Sequence, residues 1–419
     1  MSTVPNTVPE TKTFTVADGE AYRQRALKAG EQFLKAVDAI LPVIRAGCAQ
    51  SERESGVPKA SVDAMVEAGV FRSFTPMRYG GLEISPADFF DGMMRIAQCD
   101  SSAAWIAGQI NCHALEIAAM DPQMHEDFWG ACGPDARASS SYAPLGKTTP
   151  TDGGYILDGK WTFSSGVDFA HYVLIGGSER NFLVPIKDLS VDDNSWDVQG
   201  LRGTASKTVT ANKIFVPNHR IHVLADVIND NNAGYTVNQT PLYRGISWMS
   251  VFYSTATNTA IGTGIEGVNV FLEQSRKRYT QMGTGGRFAE NPFLQLKLAE
   301  ALTRVKDIRN RHLNNWREFF DLACKGTPAS HLERLRVRFE SADSNASCFD
   351  VMHDIWPMAG AMATQTANPM QMIFRNMLAA RTHGTAGKEL AANAYSRALL
   401  GLPAPEFKTA DFAAAAYWR

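Results

Sequence analysis

Apolar residues in the first third of the chain recur at helical spacing. Phe33, Val37, Ile40 and Ile44 follow one another at intervals of four, three and four, which gathers them on one face of an amphipathic helix. Pro42 lies inside that run and marks a place for a kink. Pro58 and the Gly80-Gly81 pair punctuate the region. A fresh helix is then predicted near Ser85-Pro86-Ala87, with Ser85 as N-cap and Pro86 in the first helical position. Another is predicted from Ser102 past His113 toward Met120.

Around Ala138 the period shortens. The runs Tyr155-Ile156-Leu157, Tyr172-Val173-Leu174-Ile175 and Lys213-Ile214-Phe215-Val216 read as strands, and Asp158-Gly159 between two of them reads as a hairpin turn. After about Ala233 helical spacing returns, most clearly through Leu298, Leu302, Val305, Ile308, His312, Trp316 and Phe319. Asn291-Pro292 supplies a start and Gly326 a stop, so the predicted helix has roughly 30 residues and a length of about 45 Å, as bundle helices do. The predicted organisation is a tail at 1–20, a helical domain at 21–135, a β domain at 136–232, a helical bundle at 233–403 and a tail at 404–419.

Composition narrows the function classes. The chain has 419 residues with 41 basic and 43 acidic side chains, so no global field attracts nucleic acid or anionic lipid. No stretch approaches the roughly 18 uninterrupted apolar residues of a membrane helix, and the first 20 residues lack the apolar run of a signal peptide. Six cysteines without a Cys-x-x-Cys pair fit a reducing cytoplasm. Nine histidines show no His-Glu-x-x-His spacing, so no metal site is expected.

Several segments carry candidate chemistry. Ser139-Ser140-Ser141-Tyr142 and Trp161-Thr162-Phe163-Ser164-Ser165-Gly166 offer hydroxyls and free amides at the edge of the β domain. Trp105, Gln109 and His113 recur every four residues on a predicted helix and face the same way. Arg276-Lys277-Arg278 precedes the glycine-rich Gly283-Thr284-Gly285-Gly286. Gly262-Thr263-Gly264-Ile265-Glu266-Gly267 matches the dinucleotide pattern G-x-G-x-x-G, but without a strand before it the run reads as a close-packed helix. Near the C-terminus stands Arg381-Thr382-His383-Gly384-Thr385-Ala386. This stretch resembles the acyl-CoA dehydrogenase segment in which a catalytic glutamate directly precedes Gly-Thr, with an imidazole in place of the carboxylate.

Taken together, these segments and the order of domains resemble the flavin-dependent aromatic hydroxylases of two-component systems, over nearly the whole chain. The likeness is to oxygenase components that hydroxylate 4-hydroxyphenylacetate and a steroid-derived phenol. It implies an α+β, mainly α, acyl-CoA dehydrogenase-like fold: N-terminal helical domain, middle antiparallel β domain, C-terminal four-helix bundle. It also implies a reduced flavin, FMNH2 or FADH2, supplied by a separate NAD(P)H:flavin reductase. That flavin would react with O2 to a hydroperoxide and hydroxylate a small phenolic or indolic substrate in a cytoplasmic homotetramer.

By position, the resemblance puts Trp105, Ser139, Ser140, Ser141, Phe163, Ser164 and Ser165 at the flavin ring, with Ser165 at its reactive nitrogen and Ser140 at flavin or substrate. It makes His113 the base for a phenolic proton and His383 the active-site histidine, and it gives Ser165 and His383 the stabilisation of the forming peroxide. Arg278 would bind the flavin phosphate, often across a subunit boundary, and Arg375 would wrap the cofactor. Asn376 replaces the aspartate usual there, which removes an Arg-Asp pair. On the residues alone, an acyl-CoA dehydrogenase-type oxidoreductase, an N- or S-oxygenating relative and a non-catalytic flavin or interaction protein stay open.

Overall fold

A computed structural model describes residues 18–229, 231–279 and 286–403. The expected tails at 1–20 and 404–419, apart from residues 18–20, and residues 283–285 of the glycine-rich run lie outside the described residues. Five helices come first: α1 (Gly19–Glu54), α2 (Lys59–Glu67), α3 (Pro86–Ala97), α4 (Ser101–Ala119) and the short α5 (Pro122–His125). On α1, Phe33, Val37 and Ile44 are buried and Ile40 is half-buried, and Pro42 is accommodated within the helix. Ser85 caps α3 by accepting from the Ala87 N–H, with Pro86 next to it. Asp100 caps α4 by accepting from the Ser102 and Ala103 N–H groups.

Eight strands follow: β1 (Ala138–Ser141), β2 (Lys147–Thr151), β3 (Gly154–Ser164), β4 (Tyr172–Gly176), β5 (Arg180–Pro185), β6 (Ser190–Asp192), β7 (Lys207–Pro217) and β8 (Ile221–Val223). They form two four-stranded sheets, ordered β1-β4-β5-β8 and β2-β3-β7-β6. Leu157, Trp161, Val173, Phe182, Val184 and Val209 close the core between them. Every pair is antiparallel except β1 with β4, because the chain passes through β2 and β3 of the other sheet before it returns.

One turn differs from its reading. Asp158-Gly159 is not a hairpin turn but lies inside β3, at a register shift between Leu157 and Gly159. The turn sits at Asp152-Gly153, where Thr151 pairs with Gly154 and Gly153 takes φ 73°. Gly159 serves a close approach instead: a Cβ there would come within 2.6 Å of Gly146 Cα.

The second half is helical: α6 (Leu224–Asn229), α7 (Pro241–Gly245), α8 (Trp248–Lys277), α9 (Pro292–Cys324), α10 (His331–Ala359), α11 (Pro369–Arg381) and α12 (Lys388–Leu399). Asn291 caps α9 and Gly326 follows it at φ 72°, as the sequence predicts. Helix α8 packs on α9, α10 and α11 and also on α3 and α4, so it joins the bundle to the first helical layer. The chain thus has the α+β, mainly α, acyl-CoA dehydrogenase-like fold.

The Gly262–Gly267 run lies wholly within α8. A Cβ on Gly262 would overlap the Met94 carbonyl oxygen on α3, whereas one on Gly264 would find its nearest atom, Cys348 Cβ, at an ordinary 3.5 Å. Gly262→Ala is therefore expected to destabilise the protein by about 1–3 kcal/mol through forced separation of α3 and α8. Gly264→Ala is expected to be neutral or slightly stabilising, since it removes a flexible residue from a helix. Urea unfolding midpoints of the two variants check the contrast; equal midpoints would refute it.

Candidate active site

Helix α4 is buried along its whole length. Each polar side chain on it must therefore find a partner or stay desolvated, and the partners it finds build the site. Trp105 Nε1 donates to Ser165 Oγ at 3.1 Å. Gln109 Nε2 donates to Thr255 Oγ1 on α8 at 2.9 Å. His113 Nδ1 lies 2.7 Å from the Ala138 carbonyl oxygen at the start of β1.

Beside this helix lies a cleft of about 310 Å³. Gln109, Ser140, Ser141, Tyr142, Thr162, Phe163, Ser165, Phe252, His383 and Thr385 are among the residues that line it. The wall alternates hydroxyls with aromatic faces, which suits a flat heteroaromatic ring with a polar edge. Phe163 is 68% exposed and stands in the left-handed region at φ 65°, where β3 shifts register against β7. A bulky residue there costs on the order of 1–2 kcal/mol. The strain turns its ring onto the cleft wall and edge-on to Trp196.

Hydrogen-bond directions around Ser165 follow from chemistry alone. Thr204 Oγ1 meets the Leu201 carbonyl oxygen at 2.9 Å and must donate to it. It can then only accept from Ser206 Oγ, 2.8 Å away. Ser206 in turn accepts from Ser165 Oγ at 2.7 Å. With its proton committed and Trp105 on one lone pair, Ser165 presents its other lone pair to the cleft.

The same logic sets both histidines. Because a carbonyl only accepts, His113 Nδ1 carries the proton; its Nε2 is a lone pair, buried and without a partner among the described residues. His383 Nδ1 accepts from the Thr385 N–H at 3.3 Å and lies 2.8 Å from Thr385 Oγ1, so its proton is on Nε2. The His383 ring stands edge-on to Trp105 at 5.0 Å. Burial pushes the His383 pKa down to about 4. Burial also lowers that of His113, against the opposing pull of the Ala138 carbonyl and Glu116. Both are neutral near pH 7, in opposite tautomers.

The expected residues divide into three groups. Ser140, Ser141, Phe163, Ser165 and His383 reach the wall of the cleft. Trp105, Ser139, Ser164 and His113 stand behind it. Ser139 Oγ holds the Ser165 carbonyl at 2.9 Å, Ser164 is fully buried, and His113 packs edge-on against Tyr142 with ring centroids 5.8 Å apart. Arg278 and Arg375 do not line the cleft. Arg278 donates to the Met358 carbonyl at 2.7 Å and covers the Phe288 ring; Arg375 binds Glu52 at 2.7 Å and the Gln199 carbonyl. Asn376 orients by hydrogen bonding, accepting from the Leu201 N–H at 2.7 Å. No lysine, arginine or carboxylate lines the cleft among the described residues.

Sequence reasoning missed the Glu116 cluster, although Glu116 lies one turn beyond His113 on the same helix. Glu116 is fully buried and accepts from Tyr142 at 2.5 Å and Asn181 at 2.7 Å, with His222 Nδ1 at 3.0 Å. Burial by itself would raise its pKa, but these hydrogen bonds outweigh it and hold the carboxyl below its ordinary 4.5. The cluster pins α4 to the β domain, and with it the cleft wall that Tyr142 forms.

The bundle and the paired sheets are those of the acyl-CoA dehydrogenase fold, and no carboxylate lines the cleft among the described residues. Residues 255–387 match the family model for the acyl-CoA dehydrogenase C-terminal domain. The chain is 30% identical over 379 residues to the flavin-dependent monooxygenase oxygenase subunit HsaA of Rhodococcus jostii (strain RHA1), covering 88% of this chain and 98% of that protein. It is 26% identical to the p-hydroxyphenylacetate 3-hydroxylase oxygenase component of Acinetobacter baumannii, covering 89% and 90%. The crystal structure of the HsaA monooxygenase from M. tuberculosis superposes with a TM-score of 0.84 at 28% identity, covering 90% of this chain and all of that one. The protein belongs to the oxygenase components of flavin-dependent monooxygenases, and its cofactor is a reduced flavin.

Glu116→Leu is expected to destabilise the fold by about 3–5 kcal/mol, because it strands Asn181, His222 and the Tyr142 hydroxyl in the interior. Tyr142→Phe should cost about 1–2 kcal/mol. The depressed carboxyl contributes stability above pH 4.5 that is lost as pH falls through its lower folded pKa. Denaturant titrations at neutral and acid pH measure both effects. A Glu116→Leu protein as stable as the parent would contradict the assignment.

Proposed function

We propose that this chain hydroxylates a phenolic or indolic ring, with the flavin ring against Phe163, Ser165 and His383 and the substrate between His383 and His113. When bound, the reduced flavin would supply the two electrons that activate O2, one atom of which is transferred to the ring while the other leaves as water. A separate NAD(P)H:flavin reductase delivers it. The observation that carries the reading is the pair of opposite tautomers, one imidazole offering a proton to the cleft and one holding a lone pair in the interior.

His383 Nε2–H donates to oxygen where negative charge develops beside the flavin. Ser165 Oγ accepts the N–H of the reduced central ring. Ser140 and Ser141 hold the ring's polar edge, while Trp105, Ser139 and Ser164 stiffen the wall from behind. His113 Nε2 draws the phenolic proton and makes the ring nucleophilic, for which the hydroxyl must reach it past Tyr142. Phe252 and Tyr142 exclude water, whose entry would divert oxygen to hydrogen peroxide.

Among the described residues the cleft offers no cation for a flavin phosphate. A homotetramer in which Arg278 of a neighbouring copy completes the site is the arrangement we favour, with Arg375 bound to Glu52 behind it. Phe293, Leu296 and Met362, all exposed in the bundle half of a single chain, are suited to such an assembly.

Hydroxylation requires neutral His113, the form present above its lowered pKa. The rate of product formation from supplied reduced flavin, O2 and a phenol is expected to fall on the acid side with its midpoint below the ordinary histidine value of 6.5. His113→Ala should lower that rate roughly a hundredfold or more and abolish the acid limb. An unchanged profile in the variant would reject the base.

Ser206→Ala frees the Ser165 proton to turn toward the cleft. It is expected to narrow the preference for reduced over oxidised flavin roughly tenfold, the worth of one hydrogen bond. Anaerobic and aerobic flavin titrations measure it, and an unaltered ratio would refute the direction of the relay.

A further inference from the structure

Gln109 lines the cleft yet is only 5% exposed, and its amide has a single chemically allowed orientation. Thr255 Oγ1 lies 2.8 Å from the Phe252 carbonyl oxygen, which can only accept, so the hydroxyl proton is spent there. Toward Gln109, 2.9 Å away, that oxygen can then only accept, and it takes the amide Nε2–H. The side-chain carbonyl oxygen meets no donor among the described residues and is left to the cleft. Its neighbours on the wall include Ser140, Tyr142 and Phe252; the Tyr142 hydroxyl is already committed to Glu116.

We propose that Gln109 is a specificity-determining residue whose fixed carbonyl oxygen selects aromatic rings that carry a second hydrogen-bond donor, as dihydric phenols and aminophenols do. The inference rests on the hydroxylase reading of the site. Gln109 and His113 stand one helical turn apart, about 5–6 Å between Cβ atoms, a distance comparable to the span of one substituted ring. A ring with one hydroxyl can satisfy His113 and leave the Gln109 oxygen desolvated and unpaired. A ring with two satisfies both. Sites built to receive a donor discriminate strongly against the analogue that lacks it, because the buried acceptor loses water without replacement.

The test is an anaerobic titration of the full chain, loaded with reduced flavin, against resorcinol, 3-aminophenol and 3-methoxyphenol. The last has the same shape class but one donor fewer. The parent is expected to bind the first two roughly tenfold more tightly than the third. Gln109→Leu should bind all three alike. A Gln109→Leu protein that keeps the parent's ratio, or a parent that binds all three equally, overturns the proposal. Should Gln109→Leu fail to fold, Thr255→Val decides: it unlocks the amide, so a fallen ratio supports the proposal and an unchanged one overturns it. Failure of the parent to bind any of the three sinks the hydroxylase reading and this inference together. Binding without dependence on Gln109 sinks the inference alone.

Discussion

A helix with no face toward water must pair the polar groups it carries or leave them desolvated, and α4 finds its partners in its own cap, in the β domain and on α8. Asp100 caps its start, Trp105 reaches the β domain, Gln109 reaches α8, His113 reaches β1, and Glu116 gathers Tyr142, Asn181 and His222. Leaving one of these groups unmatched would cost about 1–3 kcal/mol, so the contacts hold the helical layer, the sheets and the bundle in one fixed relation. The cleft is the space those contacts enclose. Its polar character comes from the few atoms that the network leaves over at its wall: the His383 Nε2 position, the second lone pair of Ser165 and the Gln109 carbonyl oxygen, with the His113 lone pair buried behind Tyr142.

That arrangement explains how one fold changes chemistry. The C-terminal domain matches the acyl-CoA dehydrogenase family model, and where the resemblance implies a carboxylate before Gly-Thr in a dehydrogenase, this chain has His383, with Thr385 on its Nδ1. A carboxylate can only accept in its charged state; a neutral imidazole held by one nitrogen offers a proton from the other. The β domain contributes the rest through strain and direction. Phe163 is turned into the left-handed region to present its ring, and the Thr204-Ser206-Ser165 chain fixes which way each hydroxyl points.

Periodicity made the helices legible, because apolar spacing and capping residues are local signals. Ser85-Pro86 and Asn291-Pro292 begin helices where the sequence places them, and the glycine run at Gly262 proves to be helix packing. Asp158-Gly159 misleads because a glycine needed for contact with Gly146 carries the same letters as a turn, and only the pairing of β3 with β7 separates the two cases. In the site, Ser140, Ser141, Phe163, Ser165 and His383 were legible through motif resemblance. Glu116, Ser206 and the Thr255 lock on Gln109 were not, since each depends on a partner between 26 and 146 residues away and on hydrogen-bond direction. Arg278 and Arg375 show the opposite limit, where position in a motif says nothing about which carbonyl or carboxylate the side chain meets within one chain.

The opposite tautomers of His113 and His383 are the claim on which the proposed chemistry stands. Long-range ¹H–¹⁵N correlation spectra of ¹⁵N-histidine-labelled protein at neutral pH, assigned with the two single-histidine variants, read them directly. His113 is expected as the neutral Nδ1–H form and His383 as the neutral Nε2–H form. Finding both rings in one tautomer, or either of them charged at pH 7, would contradict the division of labour between them.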